Sequence, residues 1–403
     1  MRNQQAAPPG LTEEKPDAYG DRRFSDAKKD PRRGTETVLK LSDQKWQEHV
    51  ADRLGIVAVF QETLEQIDRE VVRQAEEMDP WIRPHFHSLL ASRGKRLRPL
   101  LVVLAAGVSG GVRADHIALA VVVEMIHVAT LVHDDILDGA LIRRGEPTAT
   151  SRWGNEVSVL LGDMLFAHAL RICAKLPEGS VERVATAVCT VCSGEILQTQ
   201  RRFDWDLQEE DYFRIIERKT GELFRMPCEV SAWLNGVPDD ASRALGRYGM
   251  ALGIAYQIYD DCLDLLGKEE VTGKTLGTDW GGGKPTLPIL YLLDSKNGTW
   301  RNELIDAFHR GSFTSREDLL PLLAENGVLP KTQSKVQGIL CGARNELAAL
   351  SPGDSKQALE EVVDLLDSQV DRLIEGMLTG HRAPDTFRSG AEGEDRVKLR
   401  ENE

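Results

Sequence analysis

The first ten residues lack an apolar run. MRNQQAAPPG offers nothing like the hydrophobic core of a signal peptide, and none is expected. The sequence also lacks the roughly 20 uninterrupted apolar residues of a membrane span. The run at 117–132 comes closest, and Glu124 and His127 interrupt it. A basic excess is missing too. The 50 Lys and Arg against 64 Asp and Glu give a net charge of −14, which argues against a binder of nucleic-acid backbones but leaves room for local basic pockets. Six cysteines show no framework spacing, which favours a reducing compartment, and a cytoplasmic location is expected. Cys189 and Cys192 form a C-x-x-C without the second pair of a metal site or the preceding strand of a redox site, and read as two core cysteines on a helix. Alternating strand patterns closed by hairpin turns are absent as well.

What the sequence does have is helical periodicity. Segments 54–78, 181–203 and 359–378 place apolar residues at three- and four-residue intervals. Breaks with turn chemistry fall at 93–99, 143–147, 235–240, 277–288, 326–330 and 351–354. Roughly a dozen helices in one all-α domain, spanning 41–380, are expected. The polar, mixed-charge stretches 1–40 and 381–403 read as disordered tails.

Three carboxylates end the most apolar of these segments. In LVHDDILDGALIRRGEP (131–147), Asp134 and Asp138 share a helix face, with Asp135 about 100° round the axis. A D-D-x-x-D alone is a common solvated helix end. Here, however, the preceding turns are apolar all round, as in a helix inside a protein. The pattern also returns in GIAYQIYDDCLDLLG (253–267) as Asp260, Asp261 and Asp264. Two such clusters on interior helices repel each other unless cations lie between them. Oxygen-only ligands favour a hard cation, and Mg²⁺ suits best because it takes few protein ligands and completes its shell with phosphate and water.

Basic residues flank both clusters. RGKRLRP supplies Lys95, Arg96 and Arg98; Arg143 and Arg144 follow the first cluster, and Lys274 and Lys284 the second. Together they form phosphate-facing donors beside metal-facing carboxylates, a site for a diphosphate or two. A nucleotide P-loop does not fit. Five residues separate Gly267 from Gly273-Lys274-Thr275 where four are needed, and GGGKPT has no hydroxyl residue directly after its lysine.

The segments GKRLRP, EMIHVATLVHDDILDGALIRRGEPTA, KTGELF, GIAYQIYDDCLDLLG and GKTLGTDWGGGKPTLP occur in the order found in trans-isoprenyl diphosphate synthases. Residues 50–380 thus resemble the polyprenyl synthetase family. The resemblance implies an all-helical, barrel-like bundle around a deep cavity, usually a homodimer. Its reaction would be the 1′-4 condensation of isopentenyl diphosphate onto an allylic diphosphate. Three Mg²⁺ ions would bind at Asp134, Asp135, Asp138, Asp260, Asp261 and Asp264. By position in the family motifs, Lys95, Arg98, His127 and Arg144 would hold the isopentenyl diphosphate. Arg143, Lys219, Lys284 and Lys274 would contact the allylic diphosphate, and Lys219, Thr220 and Gln257 would face the allylic cation. One departure is visible: Gly283 stands where members often carry an acid before the lysine.

Product length would depend on the positions four and five residues before the first aspartate, where short-chain members carry a bulky aromatic. Here they are Thr130 and Ala129, with Ile126 and Val122 one turn deeper, so a medium- or long-chain product is expected. A geranylgeranyl or farnesyl product is the alternative. A terpene cyclase commonly has a different second motif, a helical di-metal phosphohydrolase would recruit histidine ligands, and a non-catalytic partner subunit should have lost aspartates. All six are present. No nucleic-acid partner is expected, and at most transient membrane contact for product release.

Overall fold

The computed structural model describes residues 57–91, 96–143, 145–267, 276–295, 299–310 and 316–380. Lys95, Arg144 and Lys274 lie outside these residues, as do 1–40 and 381–403. The described chain is helical nearly throughout. Helices α1 (Val57–Arg73), α2 (Arg83–Leu90) and α3 (Leu97–Ser109) lead into the long α4 (Ala114–Leu137) and α5 (Ala149–Cys173). Next come α6 (Ser180–Gln200), α7 (Glu209–Ile216), a π-helical turn (Glu217–Gly221), α8 (Glu222–Leu234) and α9 (Asp239–Leu266). The rest is α10 (Thr278–Gly281), α11 (Leu287–Asp294), α12 (Thr299–His309), α13 (Leu320–Glu325), α14 (Val328–Leu347) and α15 (Asp354–Gly380). The break at 143–147 is a small antiparallel hairpin, with Ile142 opposite Pro147 and Arg143 opposite Glu146.

The core has two halves, and α8 lies between them. Phe224, Cys228 and Ala232 pack into a cluster with α9, α11, α14 and α15, whereas Leu223, Met226, Val230 and Leu234 face a second cluster built from α1, α2, α4, α5 and α6. Its charged residues Glu222, Arg225 and Glu229 pair with one another, which leaves the apolar side chains for the two clusters. α8 and α9 approach closely because α9 carries glycine at the contact. A Cβ on Gly249 would meet the Phe224 carbonyl oxygen at 2.3 Å, and one on Gly253 would meet the Gly221 Cα at 2.8 Å.

By length and composition α4 could cross a membrane, but its most apolar window is two-thirds buried inside the protein, as for a core helix. Its start is fixed by His116, whose Nδ1 accepts the Arg113 N–H at 2.9 Å while Nε2 meets the Ser231 carbonyl at 3.1 Å. Glu124, the charge inside the apolar run, is buried against the Arg96 guanidinium. Both aspartate clusters occupy the C-terminal ends of their helices, α4 and α9. The helix dipole is negative there, so three carboxylates at each end require positive charge nearby.

Candidate active site

The C-terminal ends of α4 and α9 open onto one cavity of 880 Å³, within the range of small-molecule sites. From the first cluster, Asp134 and Asp138 line it, as their shared helix face requires. Asp135 does not. It is buried round the axis from them and accepts from Arg143 Nε at 2.7 Å, across the turn that follows α4. Asp138 accepts from Arg202 Nη2 at 2.9 Å and from Lys284 Nζ at 3.2 Å. Burial pushes the Asp134 carboxyl above its ordinary range, against the opposing pull of Lys219. Burial acts upward on Asp138 too, but Lys284, Lys219 and Arg202 outweigh it and hold that carboxyl low.

All three aspartates of the second cluster line the cavity. Asp261 is buried and receives Tyr212 Oη at 2.7 Å and Gln257 Nε2 at 2.8 Å. Burial, with Asp279 nearby, lifts its carboxyl to about 8. Asp264 accepts from Thr278 Oγ1 at 3.2 Å and from the Asp279 N–H at 3.1 Å, which holds the loop that delivers Lys284. Lys284 then ties this loop to the first cluster, 3.0 Å from Asp279 and 3.2 Å from Asp138. Burial opposes its charge, yet the two carboxylates prevail and keep it above the ordinary lysine range.

Lys219 and Thr220 lie on the π-helical turn, a local widening of the helix that is frequent at functional sites. Gly194 lets this turn approach α6; a Cβ there would lie 2.4 Å from the Lys219 nitrogen. Lys219 Nζ reaches Glu195 at 2.5 Å and Gln198 at 2.7 Å. Thr220 Oγ1 donates to Gln257 Oε1 at 2.5 Å, so Thr220, Gln257 and Asp261 form one chain along the wall. On the opposite side Arg98 Nη1 meets His127 Nε2 at 3.1 Å, and its guanidinium lies 4.8 Å from the centre of the Phe224 ring. Both line the cavity.

Three expectations need correction. Arg96 borders the cavity but is not presented to it as a loose donor: its side chain is held by Glu124, by Asp68 at 2.7 Å and by the Leu90 carbonyl at 3.2 Å, and its backbone is left-handed (φ 47°). It fastens the basic turn to α1, α2 and α4. Ala129 does not border the cavity; it is wholly buried in the second core cluster with Ile126 and Val122, whereas Thr130 does line the wall. Cys189 and Cys192 are exposed, not core residues, and Cys192 sits at the cavity edge.

The structure also adds residues that the motifs did not single out: Glu195, Gln198, Arg202, Tyr212 and Asp279. Asp279 stands inside the GTDWGGGK segment and could have been found there. The others come from distant helices and leave no local signal. Among the described residues, no three His, Cys, Asp or Glu side chains converge into a ready-made ion cage. The carboxylates instead face each other across the cavity and offer only oxygen. That donor set suits a hard cation which takes its remaining ligands from a substrate phosphate.

Comparison with known proteins agrees with this geometry. Residues 79–324 match the sequence profile of the polyprenyl synthetase family. An all-trans-nonaprenyl-diphosphate synthase (geranyl-diphosphate specific) from Rhodobacter capsulatus is 34% identical over 282 residues, covering 70% of this chain and 86% of that protein. A nonaprenyl diphosphate synthase from Mycobacterium tuberculosis is 33% identical over 319 residues, covering 78% of this chain and 92% of that protein. The crystal structure of a polyprenyl synthase from Caulobacter crescentus, complexed with calcium and isoprenyl diphosphate, superposes with a TM-score of 0.73 at 35% identity, covering 78% of this chain and 96% of that one. The chain belongs to the polyprenyl synthetase family.

Proposed function

We propose that this protein is a prenyltransferase that condenses isopentenyl diphosphate with allylic diphosphates, 1′-4 and trans, to give a medium- or long-chain polyprenyl diphosphate. One observation carries the reading: two aspartate clusters, on the ends of α4 and α9, open onto a single cavity whose walls also present Arg98, His127, Lys219 and Lys284. Asp134, Asp138 and Asp260 would hold Mg²⁺, about three ions per site as in the resemblance drawn above. When bound, these ions neutralise the allylic diphosphate and make it a leaving group. Lys284 and Lys219 orient that diphosphate, and Arg98 and His127, with Lys95 and Arg144, hold the isopentenyl diphosphate.

In the reaction the allylic C–O bond breaks and its electron pair leaves with pyrophosphate. The isopentenyl double bond then forms the new C–C bond, and a proton passes to the released pyrophosphate. The Thr220–Gln257 pair faces the developing cation with neutral dipoles, which stabilise it without capturing it. Apolar side chains from Phe166, Val191, Ile196 and Leu223 continue the cavity, and no aromatic blocks it at Thr130. This supports a long product.

Leu160 on α5 and Ile196 on α6 are 63% and 59% exposed, and Val157, Leu170 and Cys189 are exposed on the same two helices. That much apolar surface is what a homodimer interface would cover. Six free cysteines accord with a reducing, cytoplasmic location. The test is radiolabelled isopentenyl diphosphate with an allylic primer and Mg²⁺, products resolved by chain length. Long polyprenyl products are expected. A cyclic hydrocarbon with pyrophosphate release, or phosphate release alone, would replace this reading with a cyclase or a hydrolase.

A further inference from the structure

The turn that follows α6 reaches the first aspartate cluster from 64 residues away. Arg202 Nη2 donates to Asp138 Oδ1 at 2.9 Å, while Lys284 Nζ takes the other oxygen at 3.2 Å. The next residue, Phe203, is left-handed (φ 62°), a conformation that a bulky side chain keeps only when its surroundings enforce it. Its N–H donates to the Gly283 carbonyl at 2.6 Å. Its ring fills the space beside Gly283, where a Cβ would lie 2.5 Å from ring carbons. Trp205 then packs on Trp280 and Phe308, with ring centroids 5.2 and 5.1 Å apart, and staples the turn to α10.

The turn is therefore locked onto the residue before Lys284, and two cations meet opposite oxygens of one cavity-facing carboxylate. A carboxylate poised for a metal ion is here satisfied by side-chain cations. If an ion takes over Asp138, both cations lose that partner in the presence of the diphosphate that accompanies the ion. A guanidinium is suited to phosphate oxygens, which its fork can bind in pairs. The Arg202 Nε is buried and has no hydrogen-bond partner among the described residues, so this fork has a donor in reserve.

We propose that Arg202 is a further diphosphate-binding residue, which donates to the allylic diphosphate alongside Lys284 once Asp138 is engaged by metal. The proposal rests on the diphosphate-transfer reading given above. It is tested on the full chain by calorimetric titration with magnesium pyrophosphate, and separately by Mn²⁺ binding followed by electron paramagnetic resonance. Arg202→Ala should weaken magnesium pyrophosphate binding roughly 10- to 100-fold, the scale of a lost charged hydrogen bond, and Arg202→Lys should recover part of the loss. Mn²⁺ alone should bind as tightly as to the parent or more tightly, because a competing cation has gone. The Michaelis constant should rise for the allylic substrate and stay within a few-fold for isopentenyl diphosphate. Arg202→Gln takes the place of the alanine variant if that one does not fold. Unchanged pyrophosphate affinity overturns the proposal. So does an equal loss for Mn²⁺ alone, which would show that Arg202 only shapes Asp138. A parent protein that fails to bind magnesium pyrophosphate would instead overturn the diphosphate reading itself.

Discussion

Asp134, Asp260 and Asp261 line the cavity, but Asp261 also accepts from Tyr212 and Gln257, and Asp135 is turned away onto Arg143. Adjacent carboxylates thus have different work, and substitution should separate them. Asp134→Asn or Asp260→Asn should lower turnover at least ~100-fold, the scale of a lost key electrostatic contact. The metal-free fold should be as stable as the parent or more so, since burial already disfavours the Asp134 charge. Steady-state rates and urea denaturation check the two halves. Near-parental turnover in either variant would remove that residue from the metal-facing set. The spacing of the motifs made Asp134 and Asp138 legible, because a four-residue interval fixes a shared face. It could not show that Tyr212, 49 residues from Asp261, or Arg202, 64 from Asp138, complete the arrangement. Only tertiary packing brings those together.

Among the elements, α4 is the one to which the sequence assigns control of product length. Thr130, four residues before Asp134, shares its face, whereas Ala129, five before, lies about 140° round the axis, and Ala129 was misplaced for that reason. The helices themselves were legible from a local period, and the ends of α4 and α9 from their repeated aspartates. The amphipathic stripe of α6 was not, since Cys189 and Cys192 look apolar on paper and lie on its open side. A paired substitution tests the revised wall. Thr130→Phe adds a ring in the cavity, and a misfit of about 1–3 kcal/mol should disfavour each further condensation roughly 5- to 150-fold. Its main product should be shorter than that of the parent. Ala129→Phe should instead destabilise the fold by about 1–3 kcal/mol with the product length kept. Chromatography of products and urea midpoints read the two effects. Parental chain length from Thr130→Phe would move the floor to the Phe166, Val191 and Leu223 wall.

For the molecule as a whole, the proposed interface on α5 and α6 makes thiol reactivity a reporter of assembly. Cys341, exposed on α14, should react quickly with an aromatic disulfide reagent, while the buried Cys173, Cys228 and Cys262 stay slow. Cys189 and Cys192 should be slow in a dimer and quick once dilution gives monomers, with size measured by light scattering. Fast labelling of Cys189 in an intact dimer would place the interface elsewhere. Acid stability follows from two histidines. His116 and His168 are held neutral: burial lowers both, and Arg171 adds to it at His168, where it meets Nδ1 at 2.8 Å. Below pH ~6.5 the unfolded chain takes up protons that the folded one refuses, so stability should fall with pH, by at most ~1.4 kcal/mol per pH unit for each histidine. Urea midpoints between pH 7.5 and about 5.5 measure this slope, which His116→Gln and His168→Gln should each reduce.

Three cations that line the cavity already have anionic partners within the protein: Lys219 with Glu195, Lys284 with Asp138 and Asp279, Arg143 with Asp135. Around these pairs the lining keeps an excess of carboxylates, eight against five lysines and arginines. A stray phosphate finds those cations occupied, and a stray metal ion finds much of the negative charge already answered. An anion that brings its own metal lets each side trade its internal partner for an external one. On the proposed reading, the cavity mouth thus distinguishes such an anion from the many that arrive without a metal.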